Sequence, residues 1–359
     1  AGVVQNAIIN DPLTHFERAK ARQAVVLDLM VQSGTITELE ATAAKQDELQ
    51  FAPVRFPIDA PHFVMEVWRI LERDYPNLLH AGGLEVVTTV DRDWTDHAQR
   101  IVRNQLDALN HPTDGSMSAN ANNAAVVALD PITGEVLTML GSPDFFDEAI
   151  DGAVNAAMAY RQPGSTLKPF TYAEAMNTAY PDPYTAATMI LDVQTPFITN
   201  KLESYSPGNY GLVEHGPVLV REALASSYNI PAVVALEHIG IQRFVEFVGG
   251  LGLDNLADNA QVDLSITLGG GEVRLIDLVE AYSAFANMGY DIEPQYILTI
   301  RDADGEVLFD YNPPPLTRRV IDEKIAYIIT DILSDNEARR PSFGQNSLLN
   351  VGFPAAAKT

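Results

Sequence analysis

The chain has 359 residues, enough for two or three domains, and 47% of them are hydrophobic, so it can bury a large core. It contains no cysteine, which excludes disulfide bonds, thiolate metal sites and cysteine nucleophiles. The formal net charge of −25 disfavours binding to nucleic acid or anionic lipid, and an anionic substrate would need local cations for its recognition. No apolar run reaches membrane-spanning length, and no signal peptide opens the sequence.

The first 123 residues are mostly helical by pattern, with one strand and one linker. Prolines spaced through 53–61 predict an extended linker, and the Val- and Thr-rich residues 84–90 predict a strand. Thr37 and Glu40 form a capping-box pattern that opens the second helix. The polar stretch 111–123 is the best domain boundary. The predicted helices are 19–30, 37–49, 62–73 and 94–109.

Beyond the boundary, strands and helices surround one long irregular stretch. Two hairpins are predicted, 124–129 with 135–140 and 297–300 with 307–311, each joined by a turn that contains Asp and Gly. Residues 180–217 are rich in Pro, Asn, Gly and Tyr and predict a long ordered loop, which is usually functional. Helices are predicted within 155–177 and over 218–236, 240–256, 275–288 and 323–333.

Ser165 and Lys168 form the first candidate site. Pro163 and Gly164 predict a turn into a helix, so the two side chains would lie on one face, about one turn apart, with Lys168 reaching back to the Ser165 hydroxyl. The unpaired N–H groups of a helix start would favour an alkoxide at Ser165. Ser-x-x-Lys alone is usually a helix cap with a solvated lysine. Pro169, which is disfavoured inside a helix, indicates functional strain here.

Two further polar clusters follow the first. Ser227-Tyr228-Asn229 interrupts an apolar helical stretch, and Lys358-Thr359 ends the chain after an alanine run. Each cluster alone would be a helix cap or an ordinary tail. Other site types are disfavoured, because the chain has no Gly-x-Ser-x-Gly at Ser165, no His-x-x-x-His pair, and no histidine near any of the three clusters. The sequence therefore predicts no metal site and no Ser-His-Asp triad.

Taken in order, Ser-x-x-Lys, Ser-x-Asn and Lys-Thr resemble the signature of the penicillin-interacting serine transferases. The stretches 161–169, 215–224, 229–233 and 282–289 look like those of the class A, bifunctional penicillin-binding proteins. Residues 334–339 with Phe343-Gly344 most resemble the branch called 1C. Residues 1–50 are similar to the last helices of that family's glycosyltransferase domain.

The resemblance implies an α+β penicillin-binding transpeptidase fold, like that of the serine β-lactamases, with an antiparallel sheet and helices on both faces. It divides the chain into glycosyltransferase helices 1–50, a linker domain 51–120 and a transpeptidase domain 121–359 that is incomplete at its C-terminus. We expect a fragment cut at both ends and poorly active alone. The resemblance places the protein outside the bacterial inner membrane, anchored only by a segment that the chain lacks.

The resemblance also implies a mechanism. Ser165 would attack the penultimate D-Ala carbonyl of a peptidoglycan stem peptide, with Lys168 as base once burial and Lys358 had lowered its pKa. Ser227 would relay a proton to the leaving amine, and Asn229 would bond the substrate amide and orient Lys168. Lys358 and Thr359 would bind the terminal carboxylate. No cofactor is implied, and β-lactams would act as inhibitors.

Two alternatives remain open. One is a D,D-carboxypeptidase or β-lactamase-type hydrolase, in which water accepts the acyl group. The other is a β-lactam sensor that is acylated and does not turn over. The linker and residues 1–50 argue against the hydrolase, and residues 1–50 argue against the sensor.

Overall fold

The computed structural model describes residues 15–47, 58–198, 204–257 and 263–359. The chain forms two compact units, Ala1–Pro57 and Ile58–Thr359. The helices, α1 to α13 in order, are Phe16–Gln32, Glu38–Gln46, Pro61–Asp74, Pro76–Ala81, Arg92–Asn110, Lys168–Ala175, Val220–Ala225, Asn229–Ile239, Ile241–Gly249, Asp254–Ala257, Leu275–Ala286, Glu323–Ser334 and Asn336–Phe343. The strands, β1 to β9 in order, are Glu85–Thr88, Val126–Leu129, Val136–Leu140, Met189–Asp192, Phe197–Ile198, Ser204–Tyr205, Gly216–Leu219, Ile297–Arg301 and Val307–Asp310.

The first unit contains α1 and α2. The predicted capping box is confirmed, because the Thr37 N–H donates to Glu40 Oε2 at 2.8 Å and the Glu40 N–H donates to Thr37 Oγ1 at 3.3 Å. The second helix ends at Gln46, short of the predicted end at 49, because Asp47 takes an extended conformation. The linker from 53 to 57 lies outside the described residues. No helix in the described parts of the chain is long and apolar enough to cross a bilayer.

The second unit contains the sheets. Both predicted hairpins are confirmed: β2 pairs with β3, and β8 pairs with β9, with antiparallel strands in each. The predicted strand at 84–90 forms as β1 and adds to the second hairpin, giving the order β1-β8-β9. A parallel bridge between Glu135 and Gln295 joins the two groups of strands. Gly134 sits at this junction with φ +75°, where a Cβ would lie 2.4 Å from the Glu293 carbonyl oxygen, so the close approach requires glycine.

Two hydrophobic clusters form the core of this unit. In the smaller cluster, Phe63 and Val67 of α3 pack with Met139 of β3 and Ile297 of β8. The larger cluster is helical and contains α6 and α8, which contact each other closely. The apolar periodicity of the sequence therefore located the core helices correctly, and they support the segments that carry the three polar clusters.

The predicted long loop at 180–217 is wrong in part. Within its described residues, β4 pairs with β7 and β5 pairs with β6, each time antiparallel. These strands have two to four residues, too few for an alternating pattern to show. The helix predicted from 218 begins only at Val220, because the preceding residues belong to β7, and the helix predicted at 240–256 is split into α9 and α10 by a turn.

Candidate active site

Ser165 lies in a single 3-10 turn, Gly164–Leu167, that passes directly into α6. The Lys168 N–H donates to the Ser165 carbonyl, so the two residues are one turn apart, as predicted. Pro169 occupies the first turn of α6, where a helix needs no N–H from it. The prediction of strain at Pro169 is therefore wrong, because proline is disfavoured in helix interiors and not in the first turn.

A glycine turn holds the Ser165 segment from the other side. Gly269 has φ +92°, and a Cβ there would lie 2.2 Å from the Gly164 backbone nitrogen. The Tyr282 hydroxyl donates to the Thr166 carbonyl at 2.7 Å. The sequence predicted a turn at 269–271 but not its contact with the candidate nucleophile.

Lys168 is fully buried, and its side-chain nitrogen faces the second polar cluster. Its Nζ donates to the Ser227 carbonyl at 2.6 Å, to Asn229 Oδ1 at 2.7 Å and to Ser227 Oγ at 3.3 Å. The prediction that it reaches back to the Ser165 hydroxyl is not met, and among the described residues that hydroxyl has no hydrogen-bond partner. Sequence reasoning placed the right residues together, but the lysine binds the Ser-x-Asn segment because the break between α7 and α8 turns a carbonyl toward it.

That break is made by Ser227, which has φ +61°. The Ser227 N–H donates to the Leu224 carbonyl at 3.1 Å and the Tyr228 N–H to the Ala223 carbonyl at 2.9 Å. This pair of bonds is a Schellman motif, in which the left-handed position normally belongs to glycine. A serine at this position stores strain of about 1–2 kcal/mol beside the candidate site.

Lys358 reaches the same cluster from the end of the chain. Its Nζ donates to Ser227 Oγ at 2.8 Å, and it also contacts the carbonyl of Thr359, which is exposed. The preceding residue is anchored, because the Ala357 N–H donates to the Leu333 carbonyl at 2.9 Å. The buried guanidinium of Arg339 donates to the same carbonyl. Two lysines thus meet at one serine hydroxyl.

The two lysines have lowered pKa values. Burial, and then the positive charge of Lys358, lowers the pKa of Lys168 to about 6. Burial lowers the pKa of Lys358 to about 8. At neutral pH Lys168 is therefore mostly uncharged and can accept a proton, while Lys358 remains mostly a cation. The arrangement places a base, Lys168, and a cation, Lys358, within hydrogen-bond distance of the Ser227 hydroxyl.

Sequence reasoning missed three residues behind the second cluster. The His215 ring stacks on Tyr228 with centroids 3.8 Å apart, so the expectation that no histidine lies near the clusters is wrong. Its Nδ1 lies 2.5 Å from the buried Asp192 carboxylate, and no hydrogen bond joins it to a serine among the described residues. Asn209 completes the group, with its amide on Asp192. Only a prediction of strand β4 with a buried Asp at its end could have pointed to these residues, and that strand was not predicted.

In the described parts of the chain, no group of three or more His, Cys, Asp or Glu side chains could hold a metal ion.

Comparison with known proteins agrees with this geometry. A family model, the penicillin binding protein transpeptidase domain, matches residues 124–359. Penicillin-binding protein 2D of Bacillus subtilis (strain 168) is 30% identical over 342 residues, 93% of this chain and 46% of that protein. Penicillin-binding protein 1C of Escherichia coli (strain K12) is 28% identical over 344 residues, 96% of this chain and 39% of that protein. The chain thus spans less than half the length of these relatives.

The fold also has known counterparts. The crystal structure of penicillin-binding protein 1A from Haemophilus influenzae matches with a TM-score of 0.68 at 21% identity, over 94% of this chain and 66% of that chain. The α+β transpeptidase fold predicted from the resemblance is confirmed, and the relatives found include one named 1C. The chain belongs to the penicillin-binding protein transpeptidase family.

Proposed function

We propose that this protein is a serine D,D-transpeptidase that cross-links peptidoglycan stem peptides through an acyl-enzyme on Ser165. The observation that carries the proposal is the buried Lys168, whose pKa of about 6 makes it a base at neutral pH one turn from Ser165. A hydroxyl is a weak nucleophile until such a base takes its proton. The match of the transpeptidase family to residues 124–359 supports the reaction class.

The first half-reaction forms the acyl-enzyme. The Ser165 Oγ–H bond breaks, its proton passes to Lys168 Nζ, and Oγ bonds to the carbonyl carbon of the penultimate D-Ala. Lys168 accepts the Ser165 proton in the substrate complex, because catalytic hydrogen bonds tighten when substrate is bound. The Ser165 N–H contributes one donor to the oxyanion. The peptide C–N bond then breaks, and the leaving D-Ala amine takes a proton relayed from Lys168 through the Ser227 hydroxyl.

The second half-reaction transfers the acyl group. An amine of a neighbouring stem peptide attacks the ester carbonyl, an amide C–N bond forms, and the ester bond between Ser165 Oγ and the carbonyl carbon breaks. The proton of the amine passes through Ser227 and Lys168 to Ser165 Oγ, which regains its hydroxyl. Asn229 has two tasks. Its Oδ1 accepts from Lys168 at 2.7 Å and orients the lysine, and its Nδ2, which donates one hydrogen to the Gly208 carbonyl at 2.8 Å, donates the other to the substrate amide. Lys358, mostly cationic, and the exposed Thr359 bind the terminal carboxylate of the donor.

The wider setting follows from the same proposal. The substrates are peptidoglycan stem peptides, β-lactams inhibit by acylating Ser165, and the activity belongs to the extracytoplasmic face of the bacterial inner membrane. The transpeptidase domain is residues 121–359, preceded by a linker domain 51–120 and glycosyltransferase helices 1–50. The parent enzyme would then be bifunctional.

A donor peptide ending in D-Ala-D-Ala tests the function. The complete gene product is incubated with this peptide and a D-amino acid as amine acceptor, and products are identified by mass spectrometry. We expect release of D-Ala and an amide between donor and acceptor, both lost in Ser165→Ala. Transfer of the acyl group to water alone would indicate a hydrolase. A persistent acyl-enzyme that releases D-Ala but passes the acyl group to neither amine nor water would indicate a sensor. The absence of both an acyl-enzyme and released D-Ala would reject the proposal.

A further inference from the structure

Asp192 is a buried carboxylate close to the site, at the end of β4, and it has no part in the mechanism above. It is fully inaccessible to solvent. Both of its oxygens accept from Asn209 Nδ2 at 2.8 Å, and one accepts from the His215 N–H at 3.2 Å and contacts His215 Nδ1 at 2.5 Å. Burying a carboxylate is costly, and apolar residues of similar size often stabilise a fold better. A buried carboxylate with these polar partners is therefore a candidate for a task other than stability.

The first connection from Asp192 runs to the start of α8. Tyr228, the residue before this helix, gives it no side-chain cap. Asn209 supplies the cap from a distance, because its Oδ1 accepts the Asn229 N–H at 2.7 Å and the Ile230 N–H at 3.3 Å. Asn209 Nδ2 donates to both Asp192 oxygens and to the Val213 carbonyl, each at 2.8 Å, so the carboxylate and this carbonyl together fix which atom of Asn209 faces the helix.

The capped residue is the partner of the catalytic lysine. Asn229 receives the Asn209 cap on its backbone, and its side chain accepts from Lys168 Nζ at 2.7 Å and donates to the Gly208 carbonyl at 2.8 Å. Asn229 is thus held through both backbone and side chain by the segment next to Asn209. A shift at the start of α8 would move the acceptor that orients Lys168.

The second connection runs through His215 to Tyr228. The two rings stack at 3.8 Å with an interplanar angle of 14°, and Tyr228 is buried. His215 is fixed by its contact with Asp192. Tyr228 lies between Ser227 and Asn229, so the two connections from one carboxylate hold the segment that presents Ser227, against the strain of its positive φ.

We propose that Asp192 is a positioning residue for the acyl transfer, acting through Asn209 and His215 to fix Asn229 and, through it, Lys168. The inference rests on the proposed function and adds to it residues with no direct contact to substrate. It predicts that loss of the Asp192 interactions lowers the rate constant of acylation at Ser165 by a larger factor than it lowers the equilibrium constant for folding. The reason is that the acylation rate depends on ångström-scale placement of the reacting groups.

The test uses two readouts on the complete gene product. One is the second-order rate constant for labelling by a fluorescent penicillin, and the other is hydrogen exchange at the Asn229 and Ile230 amides. In Asp192→Asn and in Asn209→Ala, we expect labelling to slow by about 10- to 100-fold. Exchange at the two amides should rise by about 3- to 10-fold, the factor that corresponds to one hydrogen bond. Asn209→Ala decides the matter if Asp192→Asn does not fold.

Two controls separate positioning from general damage. Glu174→Gln removes another buried carboxylate, paired with Arg243 at 2.5 Å, and should lower stability but leave both readouts unchanged. The double variant Asp192→Asn with Asn209→Asp exchanges the two groups, keeps an acceptor for the Asn229 N–H, and should recover part of the labelling rate.

The inference would be overturned if Asn209→Ala were labelled, and exchanged its Asn229 and Ile230 amides, at the wild-type rates. It would also be overturned if Glu174→Gln changed both rates as much as Asn209→Ala does. If the wild-type protein itself is not labelled, the proposed function fails, and the exchange measurement alone decides whether Asp192 holds Asn229.

Discussion

Lys168 and Lys358 donate to the same oxygen, the hydroxyl of Ser227, at 3.3 and 2.8 Å. Two ammonium groups so close together and shielded from water repel each other, so the site favours states in which at least one is neutral. Lys168 is the one that loses its proton first, because burial and the charge of Lys358 act on it together. The shared hydroxyl of Ser227 can then pass a proton between the base and a leaving group.

The pH dependence of acylation should report the Lys168 pKa. In the proposed mechanism Lys168 works as a base only when neutral, and its pKa is lowered to about 6, so we expect activity above that pH and its loss below it. We expect the rate constant for penicillin labelling to fall about tenfold per unit as the pH decreases below about 6. Stopped-flow labelling between pH 4.5 and 8 measures this, and a rate that stays constant down to pH 5 would contradict it.

Removing Lys358 should move that pH profile upward. In Lys358→Met the neighbouring positive charge is gone, so the pKa of Lys168 rises toward its ordinary value, while burial still holds it down. The same labelling series on this variant gives the shift of the acid limb. Lys324→Met, which removes an exposed lysine from the start of α12, is the matched control and should leave the limb in place. An unchanged limb in Lys358→Met would show that the two amines do not interact.

Ser227 carries backbone strain that can be measured apart from its hydroxyl. Ser227→Gly and Ser227→Ala both remove the hydroxyl, but only glycine accepts φ +61° without cost. The free energy of unfolding should be about 1 kcal/mol higher for the glycine variant. Both variants should lose about 100-fold or more in transpeptidation, since neither can relay a proton. Denaturant titrations test the first statement, and equal stabilities would mean that the left-handed geometry is absent in solution.

Gly269 should be intolerant of any side chain. A Cβ there would lie 2.2 Å from the Gly164 nitrogen, so Gly269→Ala combines overpacking with backbone strain and should cost about 2–4 kcal/mol. Because Gly164 precedes Ser165, the proposed nucleophile, labelling should slow as well. Gly305→Ala, at φ +85° with open space around it, carries the strain alone and should cost about 1 kcal/mol. Similar costs for the two variants would contradict the close contact.

Much of the site could be predicted from sequence, because its residues stand in short motifs whose order resembles a known family. Ser165 and Lys168 lie one turn apart, and Ser227, Asn229 and Lys358 gather around the lysine, as the motifs suggested. The periodic helices and the hairpins with clear turn residues were also predicted, since each pattern reflects a local preference for burial or turn formation.

What could not be predicted depends on contacts distant in sequence. Asp192, Asn209 and His215 lie in a stretch whose composition indicates a loop, and only the pairing of the short strands β4 and β7 brings Asp192 to His215. The left-handed Ser227 was hidden because that position usually belongs to glycine. Pro169 was misjudged for a local reason, since the start of α6 at Lys168 makes the proline compatible with the helix.

Peptide mass mapping after treatment with benzylpenicillin tests the central claim most directly. The complete gene product is incubated with the drug at pH 7.5, digested, and searched for a peptide that has gained the mass of one penicilloyl group. The proposed function predicts a single adduct on Ser165, absent in Ser165→Ala and formed much more slowly in Lys168→Met. An adduct on another residue, or an unchanged adduct in Ser165→Ala, would contradict the assignment of Ser165 as the nucleophile.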